Sequence, residues 1–389
     1  MKKRKIVFIV FLLAIIDATY WLFEPYSLNP FSEKPLSLSN NENNLNCISS
    51  KKFSDKGDKL LNSTIKSGRL LGVTTGIYSK RCGSWLSSAG YLTKSGEQVP
   101  NKSSLFRIAS ISKSMTAVAI LQLLEKGIID LDTPIQEYLP EFPKKAKGEI
   151  TIRQILKHRG GIPHYKSKFG IFNFTHYANS IEALDKFKDR DLLYKPGTGF
   201  KYSSFGYVIL GAIIEKVTGQ SYQDYMEKNI WKPANMTSTS IEKSDNTYDN
   251  KAGLYIKLGN TFIRVPKNDL SYMQSGGGIQ STAHDLLKFG QAILDYKLIT
   301  PSTTELMIML STDKKDEIEY TYGWDSKVSS KDGRIIEHNG TQIGASSYLR
   351  IYFDKKIVVA TLSNSLSTSE PVKNLSLNLA ETFMNNENM

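Results

Sequence analysis

Two groups of strand-like runs sit near the two ends of the chain, and helical patterns fill the space between them. Gly72 to Tyr78 and Ser84 to Leu92 are separated by Arg81-Cys82-Gly83, which predicts a hairpin. Arg334 to Glu337, Ser346 to Phe353 and Ile357 to Ser363 alternate or run apolar, with Asp354-Lys355 as a turn between the last two. Between these groups, Ser110 to Lys126 reads as a helix. Met115, Val118, Ala119, Leu121 and Leu124 fall at helical spacing along it, and Gly127 closes it. Thr151 to His158, Tyr207 to Val217 and Ser281 to Leu294 read as further helices, the last capped by Ser281 or Thr282. Short helices are expected over Asp55 to Ser67 and from Asp132-Thr133-Pro134, and a final one over Glu370 to Asn385. The pattern predicts an α+β fold: one antiparallel sheet built from both terminal strand groups, with a helical lobe inserted.

The N-terminus reads differently from the rest. Lys2, Lys3, Arg4 and Lys5 precede an apolar stretch, Ile6 to Phe23, interrupted by Asp17, the layout of a signal peptide or signal anchor. Ile16-Asp17-Ala18 makes a poor cleavage site, and Tyr20 and Trp21 suit a membrane interface, so an uncleaved anchor is favoured. Residues 1–24 are therefore expected to contact a membrane, 25–52 to form a flexible linker rich in Asn, Ser and Pro, and 53–389 to fold outside the cytosol, periplasmic or at the cell surface rather than in mitochondria. The formal net charge of +12 does not point to nucleic acid, because the lysines are scattered and no nucleic-acid motif accompanies them. Cys47 and Cys82 allow one bridge in an exported domain, or two thiols, and exclude a cysteine-rich metal site.

A serine hydroxyl is a weak nucleophile near neutral pH and needs a base within reach. A Lys three residues later on a helix lies on the same face and serves as that base once its pKa is lowered. The bare spacing is weak here, since Ser49, Ser63, Ser240 and Ser311 also have a Lys three residues on. Ser110 and Lys113 differ by sitting at the mouth of the longest amphipathic helix, whose N–H groups also favour an oxyanion. Helix capping by Ser110 is the competing structural explanation.

Phe106 to Thr116, continuing to Leu131-Asp132-Thr133-Pro134, resembles the serine β-lactamase-like family of class C β-lactamases and penicillin-binding proteins. Glu137 to Pro143 is most similar to its mitochondrial serine β-lactamase-like branch. Two later stretches extend the resemblance in the same order. Lys195 to Tyr207 is similar to the family's Pro-Gly-led Tyr-Ser-Asn segment, which implies Tyr202 as a proton carrier and puts Ser204 where the family has a substrate-contacting Asn. Such a role is helped if nearby positive charge lowers the phenol's pKa. Glu337 to Thr341 is similar to the family's active-site strand. The resemblance implies an oxyanion hole from the Ser110 and Thr341 backbone N–H groups, close substrate approach at Gly340, and His338 in place of the Lys of penicillin binders. Tyr177 and Tyr248 also fit Tyr-x-Asn, but lack the Pro-Gly lead-in. His158 ends a helix like the family's structural turn and is set aside as non-catalytic, and Gly276-Gly277-Gly278 reads as a close-packing turn.

The resemblance implies a β-lactamase/transpeptidase-like fold and a serine hydrolase acting through an acyl-enzyme. With Ser204 and His338 departing from the penicillin-binding pattern, the expected substrate is a small peptide, ester or amide. No metal or organic cofactor is expected: the five His residues show no metal-binding spacing, and no Gly-x-Ser-x-Gly elbow is present. Two alternatives accompany this reading, a catalytically silent scaffold and a penicillin-binding receptor that acylates without turnover.

Overall fold

The computed structural model describes residues 39–47, 50–93, 98–165, 172–244, 248–259, 261–265, 268–312 and 314–387. The charged and apolar N-terminal stretch lies outside them. None of the described helices is long and apolar enough to cross a membrane.

The sheet forms as the terminal strand groups demand. Its strands are β1 (Ser39–Asn43), β2 (Gly72–Ser79), β3 (Gly83–Gly90), β4 (Glu319–Tyr320), β5 (Asp325–Ser329), β6 (Gly333–Gln342), β7 (Ala345–Tyr352) and β8 (Ile357–Ser363). They run antiparallel in the order β1-β3-β2-β8-β7-β6-β5-β4, so the two ends of the chain join where β8 pairs with β2. The central strands carry apolar residues on both faces because both faces are covered. On β8, Ile357 and Val359 enter one core while Val358, Ala360 and Leu362 enter the other, the alternation of an extended chain.

One face is covered by α1 (Ser50–Lys66) and the C-terminal helix, Ser369–Glu387, through Phe53, Leu61, Leu375, Leu379 and Phe383. Phe53 meets Trp85 and Phe383 edge to face. The tract read as linker up to residue 52 therefore contributes an edge strand from Ser39 and the first turn of α1. Polar composition hid β1, which is held mainly by backbone pairing to β3. Cys82 is buried in this second core with Cys47 packed against it, and both stand as thiols.

The other face carries the helical lobe, with α2 (Ile111–Glu125), α3 (Ser204–Thr218) and α4 (Ala283–Leu294). Thr282 caps α4 by accepting from the Asp285 N–H. The sequence suggested an amphipathic α2, but every residue from Ile111 to Leu123 is buried. A helix apolar all round belongs between layers, and α2 lies between the sheet and the lobe. Lys113 is its one charged residue before Glu125. The C-terminal helix completes the set as α5.

Candidate active site

The segment leading into α2 is a strand that stops abruptly. Phe106 and Arg107 pair with Ser281 and Gln280, and the Ile108 N–H donates to the Ile279 carbonyl at 3.1 Å. Ala109 then adopts a left-handed backbone, φ 49°, which alanine rarely occupies. Ser110 follows at the N-terminus of α2. Its side chain makes no capping hydrogen bond, so the capping explanation does not account for it. Its hydroxyl oxygen lies 3.0 Å from Lys113 Nζ.

Lys113 Nζ also donates to the Gly276 carbonyl at 2.6 Å. The glycine-rich turn sits here because α2 is stitched to it: Thr116 Oγ1 donates to the Ser275 carbonyl at 2.7 Å, and the Ile279 N–H donates to Ser112 Oγ at 3.3 Å. Gly276 itself abuts the Ser204 carbonyl, where a Cβ would come within 2.8 Å. The turn thus packs closely, and it also supplies the acceptor that orients the lysine. Full burial lowers the Lys113 amine to about 7.

Tyr202 precedes α3 with its ring centroid 4.9 Å from Lys113 Nζ. Burial raises its phenol well above the ordinary value, and its interaction with Ser110 only partly offsets this. The phenol is therefore a neutral proton donor, not the phenolate that nearby positive charge would have favoured. Beneath it lies His158, 4.3 Å away centroid to centroid. His158 Nδ1 accepts from the Ser203 N–H at 3.3 Å, which puts its proton on Nε2, a buried atom with no partner among the described residues. Burial, then the Lys113 charge, keeps this imidazole neutral. The turn set aside in the sequence thus forms the floor under Tyr202.

Strand β6 closes the other side. Gly340 passes so near the nucleophile segment that a Cβ there would stand 2.4 Å from the Ile108 carbonyl oxygen and 2.1 Å from Ser347 Oγ. Ser347 Oγ donates to the same Ile108 carbonyl at 2.8 Å. β5 pairs with β6 only as far as Glu337, so residues 338–342 form a sheet edge along the cleft. His338 is buried and fully bonded, to Tyr320 Oη through Nε2 and to the Asn339 carbonyl through Nδ1. Burial and the Lys113 charge push its pKa down to about 3. The Thr341 side chain is exposed and bonds to Ser369 Oγ at 2.8 Å.

These residues surround a cleft of about 510 Å³ lined by Ser110, Tyr202, Ser204, His338 and Thr341, whereas Gly340, packed against Ile108 and Ser347, is not among its lining residues. A second pocket of about 1150 Å³ shares His164, Tyr165, Phe200 and Tyr202 with it. Among the lining residues that the sequence reading missed are His164, Tyr320 and Asp325. His164 Nδ1 accepts from the Ser204 N–H at 3.4 Å, and burial lowers its pKa to about 4. Tyr320 and Asp325 come from the β4–β5 hairpin, and no spacing tied them to Ser110. Among the described residues no cluster of His, Cys, Asp and Glu is arranged to hold a metal ion.

A sequence profile of the β-lactamase family matches residues 58–382. The chain belongs to the β-lactamase family. Relatives in that family include the mitochondrial serine β-lactamase-like protein of Homo sapiens, 28% identical over 81% of this chain and 74% of its own. Penicillin-binding protein 4* of Bacillus subtilis (strain 168) is 31% identical over 73% of this chain and 66% of its own. The fold is shared with the D-amino acid amidase of Ochrobactrum anthropi SV3, at TM-score 0.75 and 22% identity, over 86% of this chain and 99% of that one. It is shared equally with the octameric penicillin-binding protein homologue from Pyrococcus abyssi, at TM-score 0.75 and 23% identity, over 85% of this chain and 77% of that one. The β-lactamase/transpeptidase-like α+β fold expected from the sequence is thus the observed one, and membership places the chain in a hydrolase class.

Proposed function

We propose that this protein is a serine hydrolase that cleaves small esters or amides through an acyl-enzyme on Ser110, on the outer side of the membrane that its N-terminus addresses. The observation that carries the reading is the Lys113 amine, lowered to about 7 and 3.0 Å from Ser110 Oγ. An amine with that pKa is substantially neutral near physiological pH and has a lone pair for the hydroxyl proton.

Ser110 Oγ attacks the substrate carbonyl carbon as its proton passes to Lys113 Nζ. The oxyanion is held by the backbone N–H groups of Ser110 and Thr341, at the start of α2 and on the β6 edge. Collapse breaks the bond to the leaving group, which takes its proton from the Tyr202 phenol, and the proton on Lys113 restores the phenol. Water then attacks the acyl carbon by the same route in reverse. Ser204 and the β6 residues on either side of Gly340 line the approach. Fluorophosphonate treatment with intact-mass analysis tests the assignment. One adduct, lost in Ser110→Ala, is expected, whereas no adduct would favour a silent scaffold. A penicillin adduct without turnover would favour the receptor alternative.

A further inference from the structure

Asp325 is the one carboxylate among the described residues lining the Ser110 cleft, and no Lys or Arg lines it, the amine of Lys113 lying behind Ser110 at 3.0 Å from its Oγ. It opens β5, opposite Glu337 on β6 and Tyr320 on β4. Glu337 is already engaged by Tyr348, Arg350 and, at 3.5 Å, Lys373. The Asp325 carboxylate has no hydrogen bond or ion pair among the described residues. Aromatic rings stand around the same cleft: Tyr202 and Tyr320 lie 5.9 Å apart, and Phe200 and Tyr320 6.4 Å apart. Phe200 is 55% exposed although it flanks the cleft. His338 and His164 add no charge, because burial keeps both neutral.

A carboxylate without a partner in a cleft walled by aromatic rings, of which Phe200 is the exposed one, suits a cation, by Coulomb attraction and by ring quadrupoles together. We propose that this cleft selects acyl substrates bearing a cationic amine, held by Asp325 against Phe200, Tyr202 and Tyr320, and disfavours those bearing a carboxylate. This assigns a substrate class to the hydrolase reading above and rests on it. The protein's net charge of +12 would favour anions, so a preference for cations must come from the cleft itself.

Calorimetric titration of the full-length protein with a butyltrimethylammonium salt, and separately with a short alkyl carboxylate, tests the inference without any turnover. The cation is expected to bind about tenfold more tightly than the carboxylate. Asp325→Asn should remove that difference and Asp325→Glu should keep it. Equal binding of the two ions, or a difference that survives Asp325→Asn, would overturn the proposal. An inert Ser110 would instead overturn the hydrolase reading, and the titration would still decide this one.

Discussion

Tyr320 Oη lies 3.0 Å from Nε2 of His338, whose other ring nitrogen is 2.7 Å from the Asn339 carbonyl. A carbonyl only accepts, so Nδ1 carries the proton and Nε2 accepts from the tyrosine hydroxyl. The imidazole is thereby fixed in one neutral form, at the position that the sequence resemblance matches to the lysine of penicillin binders. A β-lactam carboxylate would find no cation there and would share the cleft with Asp325. Penicillin should therefore acylate Ser110 more slowly than its methyl ester, because its carboxylate gains no cation and is repelled by Asp325. The time course of adduct mass gives both rates, and a much faster free acid would show that some cation reads the carboxylate.

The Lys113 amine sets the pH dependence. Below about 7 the ammonium donates to Ser110 Oγ and cannot take its proton, while above it the amine is neutral. Fluorophosphonate labelling and kcat/KM should both climb as pH rises through about 7. Lys113→Met should lower kcat/KM by about 10²–10⁴-fold. Lys113→Arg should be similarly inactive, because a guanidinium keeps its proton. Full labelling of either variant at the wild-type rate would remove Lys113 from the role of base.

The preference for cations should have its own, lower pH limit. Burial first, and then Glu337 opposite on β6, raise the Asp325 carboxyl to about 6, with Lys373 of α5 acting the other way. The phenols of Tyr202 and Tyr320, which also feel Asp325, stay neutral throughout this range. As pH falls through about 6 the carboxylate is protonated, and cation binding should weaken toward that of Asp325→Asn. Calorimetry between about pH 5 and 8 spans the change.

Gly340 tests how closely β6 must approach the nucleophile. An added Cβ meets the Ile108 carbonyl at 2.4 Å, and this backbone atom cannot rotate aside. Gly340→Ala should push β6 away from Ile108 and Ser110, destabilising the protein by about 1–3 kcal/mol. It should slow fluorophosphonate labelling even at temperatures where the variant remains folded. Thermal unfolding and labelling rate, measured together, separate the two effects.

Much of this was legible from residues close in sequence. Ser110 and Lys113 are one helical turn apart, Tyr202 follows a recognisable Pro-Gly lead-in, and β7 and β8 announce themselves by apolar runs. What escaped depends on long-range pairing. Asp325 and Tyr320 reach the cleft only because β4 and β5 extend the sheet beyond β6. The Gly276 carbonyl meets Lys113 across 163 residues. The fate of the ionisable groups was equally hidden. The Tyr202 phenol shifts up because burial, with Asp325 acting the same way, outweighs the hydrogen bond to Ser110, and burial is a property of the whole fold.

Arg107 ties these long-range parts together. Its guanidinium makes a two-pronged pair with Glu242, at 2.7 and 2.8 Å, and donates to Asn268 Oδ1 at 2.8 Å and to the Ile343 carbonyl at 2.7 Å. It thus links the strand before Ser110 to the turn after β6, on both sides of the proposed oxyanion hole. Burial alone would raise the Glu242 carboxyl, but Arg107 and Lys251 hold it below the ordinary value. Arg107→Met leaves that buried carboxylate with Lys251, 2.9 Å away, as its one cation among the described residues, and should cost about 3–5 kcal/mol. Because a depressed carboxyl stabilises the fold above its unfolded pKa, weakening the depression moves acid unfolding to higher pH. Adding Glu242→Leu to Arg107→Met should recover part of the loss, since it removes the poorly compensated charge. Denaturant titration of the single and double variants gives the coupling. If the double variant regains stability while labelling of Ser110 stays slow, Arg107 positions the site as well as supporting the fold. If both recover together, its role is structural alone.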